Sequence, residues 1–331
     1  MTSGSEQVAL NTTFAYAIAK SGKATALDIA PDGRLAEPEG AFSYQWVHFQ
    51  GELDALKGAL KHHELDELTQ AALTAEETRP RCSPHAGGAI IVLRGVNLNE
   101  GAEPEDMISL RIWVTKERIV TCGIRSLKAL SDVVEMVETV RAPKSSAEMV
   151  AALALRLSDR AEPIVAELNE AVDKIEEALG EVSMNDSRRE LTELRRVAIA
   201  LRRYMFPQRD ALTTFEVEGF SWASKLSQSY LREAVDRITR LCEELDTIRD
   251  RTQVVHDQVM DARAEKMNNQ MFVLTIVSAF FLPIGFLTGL LGINVGGMPM
   301  ASNPLGFAIT CAVLAAVLVG EYWLFKKLKL F

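Results

Sequence analysis

Apolar and polar residues change rhythm three times along this chain. Up to about residue 145 the apolar positions form short runs rich in β-branched and aromatic side chains, at Phe42 to Phe49, Gly88 to Arg94, Met107 to Val114 and Arg118 to Gly123. Runs of that length and composition predict strands. Turn-forming clusters separate them, among them Pro31-Asp32-Gly33 and the segment from Asn97 to Pro104. Glu52 to Leu60 and Leu65 to Leu73 instead space their apolar residues three and four apart, which predicts helices. Residues 1–145 therefore read as an α/β domain.

After Pro143 the period becomes helical and stays so. Ser145 or Ser146 can cap a helix that runs to about Leu179. Gly180 to Asp186 breaks the pattern, Ser187 opens a second helix that stops at Pro207, and a third runs from near Gln208 to around Phe215. These elements make a helical region over 146–221. From about Trp222 no Pro or Gly interrupts the helical pattern until Pro283. A helix from there to Gly292 has about 70 residues and a length of roughly 105 Å.

The third change is the loss of charge. From Met267 to Gly320, 54 residues, there is no Asp, Glu, Lys or Arg. A membrane-spanning helix needs roughly 20 apolar residues. The stretch therefore holds two spans, 271–291 and 305–325, with 222–270 as the cytoplasmic part of the long helix. An uncharged loop, 292–304, joins the spans, and a basic tail, 326–331, ends the chain. Arg263 and Lys266 precede the pair, and Lys326, Lys327 and Lys329 follow it. Basic residues collect on the cytoplasmic side, so both termini are expected in the cytoplasm and the short loop outside. The opening residues, MTSGSEQVAL, have no basic and then apolar segment, so no signal peptide is expected.

Charge and composition narrow the function. The net charge is −9. Only Glu321, Lys326, Lys327 and Lys329 are charged beyond Lys266, so residues 1–266 hold 33 basic and 44 acidic side chains, a net of −11. That balance repels nucleic acid and concentrates cations, although it also suits a merely solvated acidic surface. Cys82, Cys122, Cys242 and Cys311 have no CxxC spacing and fit a reducing compartment. No GxGxxG, P-loop, HExxH or GxSxG motif occurs, so neither an enzyme nor a cofactor is expected.

The stretch NNQMFVLTIVSAFFLPIGFLTGLLGIN, Asn268 to Asn294, resembles the pore helix of the CorA superfamily of metal transporters. The signature Gly-Met-Asn of its magnesium channels stands here as Gly292-Ile293-Asn294, followed by Val295-Gly296-Gly297-Met298-Pro299. That variant resembles the ZntB branch, the bacterial zinc transporters. The likeness extends over the whole chain, including the run LRR…LRRYMFPQRD and the basic tail. It implies a CorA-like pentameric funnel in which the first span lines the pore and the second forms an outer ring. It also implies zinc transport across the bacterial inner membrane by a homopentamer. Cadmium, cobalt and nickel are further cargo on this reading. Proton-coupled uptake and efflux both remain open, as does a magnesium or cobalt channel. Two residues depart from the magnesium pattern: Phe272 stands where a lysine is common, and Met300 where a glutamate is.

Residues three and four apart share a helix face. Stepping from Asn268 reaches Met271, Thr275, Ser278 or Ala279, Leu282, Gly285, Gly289 and Gly292. In a pentamer Asn268, Thr275 and Ser278 would hydrogen-bond the water of a hydrated cation, and Met271 and Leu282 would close the path by dewetting. Helix–helix packing through small residues is the alternative. Gly292, Ile293 and Asn294 would form the filter where the helix ends; an Asn there also serves as an ordinary cap. The same spacing carried into the cytoplasm reaches Asp261, Asp257 and Asp250, a stripe that would stack rings of carboxylates or simply face solvent. No His, Asp or Glu lies in the membrane path, so the pore itself does not select zinc, which prefers His and Cys. Soft-ligand candidates lie in the cytoplasmic part: Cys82 with His85, the pair His62-His63, and His256 beside Asp257. Outside the transporter class, a membrane-anchored scaffold or sensor is the alternative.

Overall fold

The computed structural model describes residues 10–139, 142–178, 184–293 and 303–327. The chain divides into two compact units, Met1–His256 and Asp257–Phe331. The first unit opens with three strands, β1 (Thr12–Ile18), β2 (Ala24–Ala26) and β3 (Tyr44–Gln50). Two short helices follow, α1 (Leu53–Leu60) and α2 (Glu67–Leu73), then β4 (Arg81–His85), β5 (Gly88–Gly95), β6 (Ile108–Val114) and β7 (Arg118–Gly123). The seven strands form one sheet in the order β2-β1-β3-β7-β6-β5-β4. β3 and β7 are parallel and the other neighbours antiparallel. The α/β expectation thus holds, and β3, β5, β6 and β7 lie where the apolar runs placed them. β1, β2 and β4 escaped that reading. β2 has three residues, and β4 contains Pro84, which a sheet accepts at its edge because proline has no N–H for a ladder.

Side-chain alternation gives the sheet two buried faces. Val47, Phe49, Val120 and Cys122 point to one side and pack with Leu56, Leu60 and Leu73 of α1 and α2. His63, just after α1, donates its Nε2–H to the Gly33 carbonyl at 2.9 Å. That turn needs its glycine: φ is +92°, and a Cβ there would meet Ala59 Cα at 2.8 Å. Thr121, Trp46 and His48 point to the other side, where His48 lines a cavity with residues of α3 (Lys128–Glu138); α4 (Ser146–Glu177) follows α3 in the chain. At Gly95 a Cβ would lie 2.6 Å from Leu157 of α4, so glycine lets that helix approach β5.

The helical region departs from the predicted boundaries at three places. Ser145 caps α4 as expected, its side chain accepting from Glu148 N–H. α5 (Met184–Val217) begins three residues before Ser187 and does not stop at Pro207. Proline inside a helix costs about 3 kcal/mol. Here Leu201, Met205, Ala211, Leu212 and Phe215 are buried on both sides of it, and that burial outweighs the lost hydrogen bond. α6 (Lys225–Leu291) is a single helix of 67 residues. It starts after Ser224, whose hydroxyl accepts from Ser227 N–H at 3.0 Å, rather than at Trp222. Within the first unit its buried positions Leu231, Ala234, Ile238, Leu241, Leu245 and Ile248 recur at three- and four-residue steps. Arg251 ties it to α4, reaching Asp173 and Glu176 at 2.6 Å each.

His48 makes the first unit sensitive to acid. It is buried, and burial pulls its pKa from 6.5 to about 3; burial lowers that of His63 too. The folded chain then keeps His48 neutral where the unfolded chain protonates it. Stability must fall as pH drops from 6.5 toward about 3, by about 1.4 kcal/mol per pH unit. Thermal unfolding followed across that range is expected to show a shallower acid slope for His48→Phe than for the parent. Parallel slopes would refute the assignment.

Candidate functional site: the uncharged helix pair

The second unit contains the rest of α6 and α7 (Gly306–Lys327). Both helices are long and apolar enough to cross a membrane, and none of their most apolar 18-residue windows is buried. Leu274, Phe281, Leu282 and Phe286 are each about two-thirds exposed or more. So large an apolar surface is not stable in water and marks a lipid or protein contact.

α6 has two distinguishable faces here. Ile276, Phe280, Ile284 and Leu287 are half-buried and recur at three- and four-residue steps. The Phe280 ring meets Phe325 of α7, centroids 5.3 Å apart. Asn268, Met271, Thr275, Ser278, Leu282, Gly285 and Gly289 are all exposed. At 100° per residue they centre well over 90° from the half-buried face. The stripe predicted to line a pore is therefore exposed, on the side away from α7, as are apolar positions beside it such as Leu274 and Phe281. A Cβ on Gly285 or Gly289 would meet nothing within 4 Å. Thr275 donates its hydroxyl to the Met271 carbonyl at 2.8 Å, leaving its lone pairs free to accept from water.

The helix stops just before the signature. Gly292 N–H donates to Gly289 O at 3.2 Å, a tightened last turn. Its φ is not left-handed. A side chain there would be crowded: a Cβ would lie 3.0 Å from the Thr288 carbonyl oxygen, a backbone atom, so the helix end must shift by a few tenths of an ångström to admit it. Ile293 is exposed. Asn294 lies outside the described residues, as do Val295 to Met300.

The acidic positions of α6 are exposed: Asp250, Asp257 and Asp261. Asp250 pairs with Arg249 at 2.8 Å, and the bond to Asp250 raises the pKa of Arg249. Asp250 is thus partly neutralised by its neighbour. His256 is half-buried.

The soft-ligand candidates do not converge. Cys82 and His85 are three apart on β4, which places them on opposite faces. Burial, and then the Glu218 charge, push the Cys82 thiol up to about 12, unlike a metal-binding thiolate. His85 pairs with Asp66, and that bond is the main reason Asp66 titrates at about 2. His63 is turned into the core against Phe49, whereas His62 faces solvent. Among the described residues no group of three or more His, Cys, Asp or Glu is placed to hold a metal ion. The residues the sequence reading passed over are Trp46, Thr121 and His48, which form one buried network across β3 and β7.

Residues 42–327 match the family described as CorA-like Mg2+ transporter protein. The chain is 37% identical over 306 residues to the divalent cation transporter CmaX of Pseudomonas aeruginosa, covering 92% of this chain and 89% of that one. It is 31% identical over 285 residues to the zinc transport protein ZntB of Pectobacterium carotovorum subsp. carotovorum, covering 86% and 87%. Its fold superposes on the solved structure of full-length CmaX with a TM-score of 0.81 at 33% identity, over 99% of this chain and 100% of that chain.

Proposed function

This chain belongs to the CorA-like Mg2+ transporter family, and on that premise we propose that it moves zinc across a bacterial inner membrane through a pore built by five copies of α6. The observation that carries the pore is the exposed stripe of polar and small residues from Asn268 to Gly289 on a helix otherwise apolar and uncharged. A lipid-facing helix gains nothing from Asn268, Thr275 and Ser278 on one line, whereas a hydrated cation gains acceptors. Gly292, Ile293 and Asn294 form the outer filter, and both termini lie in the cytoplasm. Zinc rests on the kinship with a zinc transport protein. The kinship with a divalent cation transporter supports cadmium, cobalt and nickel as further cargo.

No Asp, Glu or His lies between Met267 and Gly320, so no intramembrane side chain of that kind is available to carry protons. Coupling to a proton gradient, in uptake, would therefore run through the water of the pore or through cytoplasmic groups such as His256.

Purified protein in vesicles loaded with a zinc-sensitive dye tests the proposal: zinc added outside should raise the signal, and excess magnesium should not abolish it. A signal for magnesium alone would favour the magnesium channel, and no metal-dependent signal would favour a scaffold or sensor. The exposed carboxylates add a second check. Neutralising Asp257 and Asp261 together should lower flux by about threefold at low salt and less at high salt. A defect independent of salt would contradict a role as cation-collecting charges.

A further inference from the structure

The last turns of α7 present basic and aromatic side chains on the side away from α6. Thr310, Leu314, Val317, Glu321 and Phe325 are half-buried and recur at three- and four-residue steps. Phe325 meets Phe280 of α6, so this line is the one turned toward α6. Trp323 stands about 160° around the helix from both Glu321 and Phe325 and faces the other way. Val319, one turn earlier on the same side, and Trp323 are each about two-thirds exposed. Lys327 lies about 40° from Trp323 and Lys326 about 60°, and both lysines are exposed. The Lys327 ammonium sits over the Trp323 ring, Nζ 5.3 Å from the centroid, a cation–π contact that holds the charge beside the indole.

These two charges are not compensated within the chain. Among the described residues neither Lys326 nor Lys327 is joined to a carboxylate. Glu321 is the only acidic residue after Glu265, and it lies more than about 100° around the helix from both lysines. The face therefore runs from an exposed aliphatic side chain, through an indole whose N–H can only donate, to two ammonium groups. Val319 to Lys327 covers about 12 Å along the axis. A phospholipid presents the same sequence in complement: acyl chain, ester oxygens, phosphate. Lysines at a helix C-terminus also suit the helix dipole, but that role is indifferent to the lipid headgroup.

We propose that the Val319–Lys327 face of α7 binds an anionic phospholipid, its acyl chain along Val319 and its phosphate held by Lys326, Lys327 and the Trp323 N–H. The inference rests on the reading of α7 as a membrane span and not on the identity of the cargo. A zwitterionic lipid brings its own ammonium group to the lysines and is disfavoured.

Native mass spectrometry of the full chain in detergent tests the proposal without any measurement of transport. The protein is offered equal amounts of phosphatidylglycerol and phosphatidylcholine with the same acyl chains. Phosphatidylglycerol adducts should exceed phosphatidylcholine adducts by about fivefold or more. Lys326→Gln combined with Lys327→Gln should bring the ratio close to one. Trp323→Leu keeps an apolar side chain but loses the stack and the donor, and should lower the ratio by about threefold. Lys266→Gln, on α6, should leave it unchanged. If the double glutamine variant does not fold, Lys326→Arg combined with Lys327→Arg should keep the preference while Trp323→Leu lowers it; an undiminished ratio in Trp323→Leu then overturns the proposal. Equal adducts of the two lipids in the parent, a preference that survives the double glutamine variant, or one lost in Lys266→Gln instead, also overturns it. So does displacement of phosphatidylglycerol by inorganic phosphate, because the ligand would then be a free anion. A chain that keeps the lipid preference but moves no zinc would remove the transport reading alone.

Discussion

Replacing Gly292 with valine is expected to lower zinc flux by about tenfold or more. The reason is local and steric. α6 ends at Leu291, and Gly292 closes the last turn on the Gly289 carbonyl. A Cβ would sit 3.0 Å from Thr288 O, and a branched side chain adds two further methyl groups beside it. Overpacking of this kind costs about 1–3 kcal/mol, which the helix end relieves by opening. Opening displaces the residues that follow, Ile293 and Asn294, proposed as the outer filter. A loss of about 1.4 kcal/mol in the population of the conducting arrangement is already tenfold. Alanine, with one methyl to place, should lose less. Asn294→Ala should also lower flux while leaving the oligomer intact on size-exclusion chromatography. Parent-like flux in both Gly292→Val and Asn294→Ala would remove the filter from the account.

The second large effect is expected in the opposite direction. Leu282→Asn should raise zinc flux in the resting state by about tenfold, because a polar ring cannot close a pore by dewetting. Phe281 is the control. Phe281 and Leu282 are 70% and 71% exposed in the single chain, so exposure does not tell a lipid face from a pore face. The polar stripe does: Leu282 lies in line with Thr275 and Ser278, and Phe281 lies 100° away. Phe281→Asn would place an amide in hydrocarbon, which costs stability and membrane insertion but opens no path. Leak from Phe281→Asn with none from Leu282→Asn would rotate the pore face to the other side of the helix.

What could be read from the amino-acid sequence, and what could not, follows from the range of each interaction. β3, β5, β6 and β7 are buried strands with dense apolar runs, so their own residues announce them. β1 alternates small and large residues in Thr12–Ile18, and β2 and β4 sit at the sheet's edges, where partners across the sheet decide the pairing. α3 carries Leu130, Val133 and Val137 at helical spacing, yet Val133-Val134 beside a strand-rich segment weakens that signal. The continuation of α5 through Pro207 depends on tertiary burial that no local rule contains. The two apolar helices were legible because charge exclusion and helical period are both local. The environment of His48 was not, since its partner Thr121 lies 73 residues away. The expected metal pairs at Cys82, His85, His62 and His63 failed to converge for a similar reason: adjacency in sequence says little about which face of a strand or turn a side chain takes.

The proposed cation path runs along the Thr275–Ser278–Leu282 face of α6. It is tested most directly by single-cysteine accessibility. Cys82, Cys122, Cys242 and Cys311 would first be replaced by alanine or serine, retaining a variant that still conducts. Ser278→Cys and Val277→Cys are then compared, because both positions are exposed in the chain yet stand 100° apart on the helix. A small, charged, membrane-impermeant thiol reagent added during zinc flux should block the Ser278→Cys protein and leave the Val277→Cys protein conducting. Block at Val277→Cys with none at Ser278→Cys would contradict the account.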